Sequence, residues 1–213
     1  MYVGRIVTVG MTPEGRNFAA YRVSSRSFPN REAVIIDDKV SIMPRKGFED
    51  DLSKNPYIAY NCIRTAGDYA VVTNGSQTDP IAEKIASGMN VRDSIALCLL
   101  ALDYEKDDYN TPRIVAVVHK SEPTGFLGVV RKDAVHVTEM SLKPGELYYV
   151  ATYEHSTPAK CHYNDKNFNA ETPEEICRYV ISEGVFADLE HPVTSASAVS
   201  DGHSFSTAAA LAE

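Results

Sequence analysis

Between Asp103 and Arg113 the chain reads Asp-Tyr-Glu-Lys-Asp-Asp-Tyr-Asn-Thr-Pro-Arg, four carboxylates, two phenols, an ammonium, an amide and a guanidinium in eleven residues. Carboxylates accept protons. An ammonium crowded by them stays charged, so Lys106 is a poor base and a good donor to an oxygen gaining negative charge. An apolar helix pattern leads into this stretch and an apolar strand pattern leads out of it. Polar side chains pinned between two buried elements make a precise site. Most charge runs are solvated loops, but the mixed signs, the two tyrosines and Pro112 argue for a shaped connection.

A second stretch, Tyr21 to Arg31, holds Arg22, Arg26 and Arg31 with Ser24, Ser25 and Ser27. Guanidinium forks match phosphate oxygens, and hydroxyls add donors. The segment matches no recognised phosphate cradle. A phosphate clamp and a surface loop with ordinary arginines therefore stand level.

The elements that must hold these groups come from 213 residues, of which 44% are hydrophobic, enough for a substantial core. The net charge of −8 disfavours a general nucleic-acid or anionic-membrane surface. A small phosphorylated ligand needs only a local cationic pocket. No signal peptide or membrane-length apolar run is visible, so the expected compartment is cytoplasmic. Cys62, Cys98, Cys161 and Cys177 form no CxxC or zinc-ribbon spacing and are expected as thiols, with Cys98 buried. His155, Cys161 and His162 are the only metal-ligand grouping to weigh, and their spacing is too loose to expect a metal.

Strands are expected over residues 2–9 and 18–24, joined by a Pro/Gly turn, and over 33–36 and 39–43, turning at Asp37-Asp38. Tyr57 to Arg64 reads as a strand, with Tyr60, Cys62 and Arg64 on one face and Asn61 and Ile63 on the other. Asp68 to Thr73 follows, ending in Asn74-Gly75. Asp79-Pro80 reads as the N-cap and first residue of a helix closed by Gly88. A second helix, Val91 to about Asp103, presents Val91, Ile95, Leu99 and Leu102, flanked by Ala96 and Leu100, as its apolar face. Ile114 to Val118 is apolar on both faces. Strands near 125–130, 134–140 and 146–153 come next. Thr172-Pro173-Glu174-Glu175 then caps a helix running to about Glu183. The tail from His191 reads as a weak strand with a disordered end. This order lacks βαβ alternation, which points to stacked antiparallel sheets flanked by helices in one domain over residues 1–213.

In its residues from Gly4 to about Val150 the sequence resembles the archaeal-type IMP cyclohydrolases, and more weakly beyond. The most specific pieces are Tyr21 to Arg31, Asn55-Pro56-Tyr57-Ile58-Ala59-Tyr60-Asn61-Cys62, Thr73-Asn74-Gly75, Thr78-Asp79-Pro80-Ile81 and Leu102 to Arg113. The resemblance implies an α+β, four-layer α/β/β/α sandwich similar to N-terminal-nucleophile hydrolases. Tyr2 offers no nucleophile, so that mechanism is absent from the unprocessed chain and the amino terminus is expected to take no chemical part. It also implies ring closure of 5-formamidoimidazole-4-carboxamide ribonucleotide to inosine monophosphate with loss of water. No folate, metal or other cofactor is implied, and the chain is expected as a homo-oligomer, a tetramer among the forms.

That chemistry assigns candidates by residue type. Arg22, Arg26 and Arg31 can hold phosphate, with Arg64 and Arg113 as further contributors. Tyr60 and Tyr104 can flank the imidazole or donate to the developing oxyanion. Lys106 is the cationic donor, Asp103 or Glu105 the proton acceptor. Asn61, Asn74 and Asn110 suit the carboxamide or ribose. Each has a structural alternative: Lys106 can simply pair with Asp103 or Asp107, and Arg113 can simply brace the loop. Competing functions are an amidohydrolase on the same scaffold, for which no nucleophile is clearly placed, and a non-catalytic nucleotide-binding module.

Overall fold

A computed structural model describes residues 1–161 and 163–212. The first hairpin pairs β1 (Ile6–Met11) with β2 (Asn17–Ser24) through a turn in which Thr12 N–H donates to Arg16 O at 2.8 Å. A second pairs β3 (Arg31–Ile36) with β4 (Lys39–Pro44), turning at Asp37 with φ +54°. A single helical turn, α1 (Asp51–Lys54), and a 3-10 turn (Pro56–Ile58) precede β5 (Tyr60–Ala66). Asn55 Oδ1 accepts from Tyr57 N–H at 2.8 Å and caps that turn, so the strand expected from Tyr57 starts three residues later. Then come β6 (Tyr69–Thr73), α2 (Thr78–Ala86), α3 (Val91–Leu102), β7 (Arg113–His119), β8 (Thr124–Arg131), β9 (Ala134–Ser141), β10 (Glu146–Ala151), β11 (Asn164–Asp165), α4 (Pro173–Ser182), β12 (Pro192–Ser200) and β13 (Phe205–Leu211).

Two antiparallel sheets result. One has six strands in the order β11-β10-β1-β2-β12-β13, the other seven in the order β3-β4-β5-β6-β7-β8-β9. Valines, isoleucines and alanines from the facing sides, such as Val7, Ala19, Ile42, Ala70, Ile114 and Leu127, fill the space between them. Burying each large aliphatic side chain contributes about 1.5–3 kcal/mol. α4 covers the outer face of the six-stranded sheet, with Ile176, Tyr179 and Val180 against Phe18, Ala20 and Leu147. α2 and α3 cover the outer face of the seven-stranded sheet, with Ile81, Ile85, Ile95 and Leu99 against Val71, Val115 and Val117. The chain is therefore a four-layer α/β/β/α sandwich of α+β class. β7 is buried throughout because it has a helix layer on one side and the other sheet on the opposite side.

Several local expectations need correction. α2 begins at Thr78 after Gln77, so Asp79 is not its cap but a first-turn carboxylate that accepts from Asn61 and Arg64. In α3 Leu100 and Leu102 are exposed rather than core, because the stripe facing the sheet runs through Val91, Ile95, Cys98 and Leu99. The capping box of α4 is present: Thr172 Oγ1 accepts from Glu175 N–H and Glu175 Oε2 accepts from Thr172 N–H.

The largest correction is the tail. Expected as a weak strand with a disordered end, it forms two strands, and β12 is an interior one between β2 and β13, with eight of its nine residues buried. Its serines are compatible with burial because each hydroxyl has a carbonyl to bond: Ser195 to Cys177, Ser197 to Pro173 and Ser200 to Lys120. Among the described residues no helix is long and apolar enough to cross a membrane.

Candidate active site

A cavity of about 390 Å³ opens at one end of the sandwich, where β1, β3 and β5 begin and β2 and β10 end. That volume lies at the lower end of the range for small-molecule sites, about 300–1,000 Å³. Its wall includes Arg5, Arg26, Arg31, Glu105, Asp107 and Tyr153.

Glu105 is the central group. The chain leaves α3 through Asp103, whose φ of +56° reverses its direction, and Glu105 N–H donates to Thr111 O at 2.8 Å to close the loop. On the short extended run that follows, Tyr104 and Lys106 face outward and Glu105 faces in, with 1% of its side chain exposed. Arg5 Nη2 donates to Glu105 Oε2 at 3.1 Å, and Arg113 Nη1 stands 3.8 Å from Oε1. Oε1 is buried with no hydrogen-bond partner in the protein. Burial raises the carboxyl above its ordinary range, and Arg5 and then Arg113 work against that rise.

Arg5 immediately precedes β1, and burial works against its charge, but Glu105 together with Tyr60, Tyr21 and Tyr153 more than offsets this and the guanidinium stays charged. Next to it Tyr21 Oη and Tyr60 Oη lie 2.6 Å apart. Burial holds both phenols above their usual pKa, so both keep their protons. One hydrogen joins the pair and the other remains to donate elsewhere.

At the other part of the wall stand Arg26 and Arg31 with Ser24, Ser25 and Ser27. Arg31 Nε donates to Phe28 O at 3.1 Å, while its Nη1 is buried without a partner. The Arg26 guanidinium lies 4.2 Å from the ring centroid of Tyr2, which also lines the cavity. Thr111 Oγ1 donates to Asp107 Oδ2 at 2.6 Å and lies 2.8 Å from Tyr153 Oη, tying the charged loop to the end of β10.

Of the residues singled out from sequence, then, Glu105, Arg26 and Arg31 line the cavity and Tyr60 adjoins Arg5. The others do not meet there. Arg22 points through the opposite face of β2, where its guanidinium donates to the carbonyls of Val180, Ile181, Phe186 and Leu189. Burial pulls its pKa down to about 10, still charged at neutral pH. Lys106 is exposed, paired with Asp103 and 3.5 Å from the Tyr104 ring centroid, and none of these three lines the cavity. Asn110 is exposed with φ +49° and serves the loop's turn. Asn61 and Arg64 share the outer face of β5 and contact Asp79 of α2. A β-bulge causes this: Ser41 pairs with Asn61 and Val40 with Ile63, so Cys62 is an extra residue and the alternation slips by one. Asn74 is fully buried behind the site, its Nδ2 donating to Pro112 O at 2.9 Å. Arg113 braces the loop through Asp103 O at 2.9 Å and stands behind Glu105.

Sequence reasoning passed over Arg5, Tyr21 and Tyr153. A signal existed for Arg5, a lone cation opening an otherwise apolar strand, and for Tyr21, which shares its β2 face with Ala19 and Val23. Among the described residues no three His, Cys, Asp or Glu side chains are grouped to hold a metal ion. Of the His155, Cys161 and His162 grouping, His162 lies outside the described residues.

A family model described as IMP cyclohydrolase-like protein matches residues 2–204. An IMP cyclohydrolase of Methanosphaera stadtmanae is 48% identical over 93% of this chain and 94% of its own length. One from Methanocella arvoryzae is 50% identical over 93% of this chain and 92% of its own, and one from Methanocaldococcus jannaschii 45% over 94% and 95%. Matches of that length and identity extend through the loops around the cavity as well as the sheets. The chain belongs to the IMP cyclohydrolase-like family.

Proposed function

We propose that the cavity around Glu105 closes the second ring of a purine nucleotide, and that the chain is an IMP cyclohydrolase acting on 5-formamidoimidazole-4-carboxamide ribonucleotide. Near full-length kinship to proteins of that name supports the reading. The observation that carries it is one buried carboxylate, hydrogen-bonded by Arg5 on one oxygen and by no protein group on the other, in a cavity whose wall also carries Arg26 and Arg31.

The chemistry needs those parts. In the first step the carboxamide nitrogen bonds to the formyl carbon, and the carbonyl electron pair moves onto oxygen. A carboxamide is a weak nucleophile, so holding both arms in contact supplies much of the acceleration. Glu105 takes the proton from the attacking nitrogen, and the raised pKa that burial gives it suits that task. Arg5, which lines the cavity with the Tyr21–Tyr60 pair beside it, presents its charge to the developing oxyanion. The proton held by Glu105 then reaches that oxygen. In the second step the carbon–oxygen bond breaks, the former formamido nitrogen gives up its proton, and water leaves as the ring C=N forms. Arg26 and Arg31 anchor the phosphate, and the Arg31 charge also reaches the Tyr21–Tyr60 pair.

The test is turnover of the formamido ribonucleotide to inosine monophosphate, followed by ultraviolet absorbance, in the parent enzyme and in Glu105→Gln. The variant keeps the shape and loses the base, so turnover is expected to fall by about a hundredfold or more. Parent-like turnover in Glu105→Gln would overturn the role of Glu105. Absence of ring closure in the parent would overturn the function.

A further inference from the structure

The turn joining β6 to α2 contains three buried residues packed around Arg113 and its chain neighbours without lining the cavity. Gln77, fully buried, accepts from Arg113 Nη1 through Oε1 at 3.0 Å. Its Nε2 donates to Asn74 Oδ1 at 2.8 Å, and that same oxygen accepts from Ile114 N–H at 2.8 Å. Asn74 thus ties the turn to β7 at the residue after Arg113. Gly75 lies between them. Its φ is not in the positive region, so the backbone does not call for glycine there. Space does: a Cβ at residue 75 would fall 2.7 Å from Arg113 Nη1 and 2.8 Å from Gln77 Oε1.

We propose that Asn74, Gly75 and Gln77 form a positioning device that fixes the Arg113 guanidinium behind the free oxygen of Glu105 and so keeps that carboxylate ionised for proton transfer. The inference rests on the role given to Glu105 above and adds that Arg113 acts on Glu105, not on the substrate. Arg113 is held short of a full hydrogen bond, 3.8 Å from Oε1. At that distance it stabilises the negative charge while leaving the oxygen open to a proton from the substrate. Direct contact would occupy one of that oxygen's two acceptor sites and lower its basicity.

The charged groups facing Glu105 come from three elements: Arg5 before β1, Arg113 at the start of β7, and Asp107 on its own loop, which opposes ionisation. Burial is the largest influence and also opposes ionisation. Weakening the hold on Arg113 therefore removes one of two opposing cations, and the Glu105 pKa rises further. A base whose pKa rises is protonated at higher pH, so the acid limb of turnover moves upward.

The experiment compares pH profiles of kcat and affinity for inosine monophosphate in the parent, Gln77→Met and Gly75→Ala. Met keeps the length of Gln77 and drops its acceptor; the added Ala methyl pushes on the same guanidinium from the turn and also buries Glu105 Oε1, 3.5 Å away, further, which moves the carboxyl in the same direction. Either folded variant should shift the acid limb of kcat upward by about one pH unit, a loss of about tenfold below the parent's limb, with product affinity within about twofold because neither residue lines the cavity. A merely structural role would lower melting temperature and active fraction and leave the limb in place, and that result overturns the proposal. If one variant does not fold, the other gives the same reading. Glu105→Gln separates the two levels. When it abolishes turnover while the limb in Gln77→Met and Gly75→Ala stays put, this inference alone fails; when it leaves turnover intact, the base assignment itself fails.

Discussion

Glu105 and Lys106 are neighbours in sequence, and the backbone between them sends one into the cavity and the other into solvent. Asp103, and after it Tyr104, does raise the Lys106 pKa, but an exposed ammonium paired with that carboxylate is out of reach of a buried substrate. Exposed ion pairs contribute little, so Lys106→Met is expected to leave turnover within about twofold; a hundredfold loss would return Lys106 to the mechanism. Phosphate recognition is expected at Arg26 and Arg31. Arg31→Ala or Arg26→Ala should weaken inosine monophosphate binding by roughly ten- to a hundredfold, the worth of a lost charge-assisted hydrogen bond. Calorimetric titration giving parent-like affinity in both would put the phosphate elsewhere. At this scale the sequence made the charged loop and the arginine segment legible by type. It could not say which side chain of each turns inward, because that depends on φ +56° at Asp103 and on which face of β2 looks at the other sheet.

Elements decide which face is which. On β2, Ala19, Tyr21 and Val23 enter the space between the sheets while Phe18, Ala20 and Arg22 lie under α4. Period-two alternation alone would have separated Tyr21 from Arg22, had the apolar partners on each face been counted. On β5 the same reasoning fails, since the bulge at Cys62 moves Asn61 and Arg64 together, and a bulge has no signature in those residues. Arg22 has become a fastener: one guanidinium serves the last carbonyls of α4 and those of the turn after it. Arg22→Met would remove the donor from these oxygens, of which Phe186 O alone keeps a backbone partner, the Leu189 N–H, at about 1–3 kcal/mol for each oxygen left without one. Urea unfolding should register a loss of about 3 kcal/mol or more, with product affinity per folded molecule unchanged. A change below about 1 kcal/mol would mean that water replaces the guanidinium, and reduced affinity would bring Arg22 back toward the phosphate.

At the scale of the whole molecule, the two-sheet order was readable from the strand-rich halves around a helix pair, but the last twenty residues were not. Ser and Ala in β12 lack the apolar and β-branched signal that marks a central strand. Here small side chains let α4 and the sheet approach closely, and the hydroxyls bond across that contact. The consequence is long-range: β2, formed at the start of the chain, pairs with β12 from Phe18 opposite Val199 to Ser24 opposite Pro192. α4 likewise rests on β12, and Thr194 Oγ1 accepts from Ala33 N–H across to the other sheet at 3.1 Å. A chain ending at Glu190 would leave the backbone of β2 unpaired along one side and α4 with half its support gone. Such an edge invites pairing with other chains. Residues 1–190 alone are therefore expected to show no cooperative urea transition, to bind a hydrophobic dye and to self-associate, although every residue of the cavity wall is still present. A sigmoidal transition in that fragment with a parent-like slope would mean that the first eleven strands fold without the last two, and that the sandwich is assembled from the amino-terminal side.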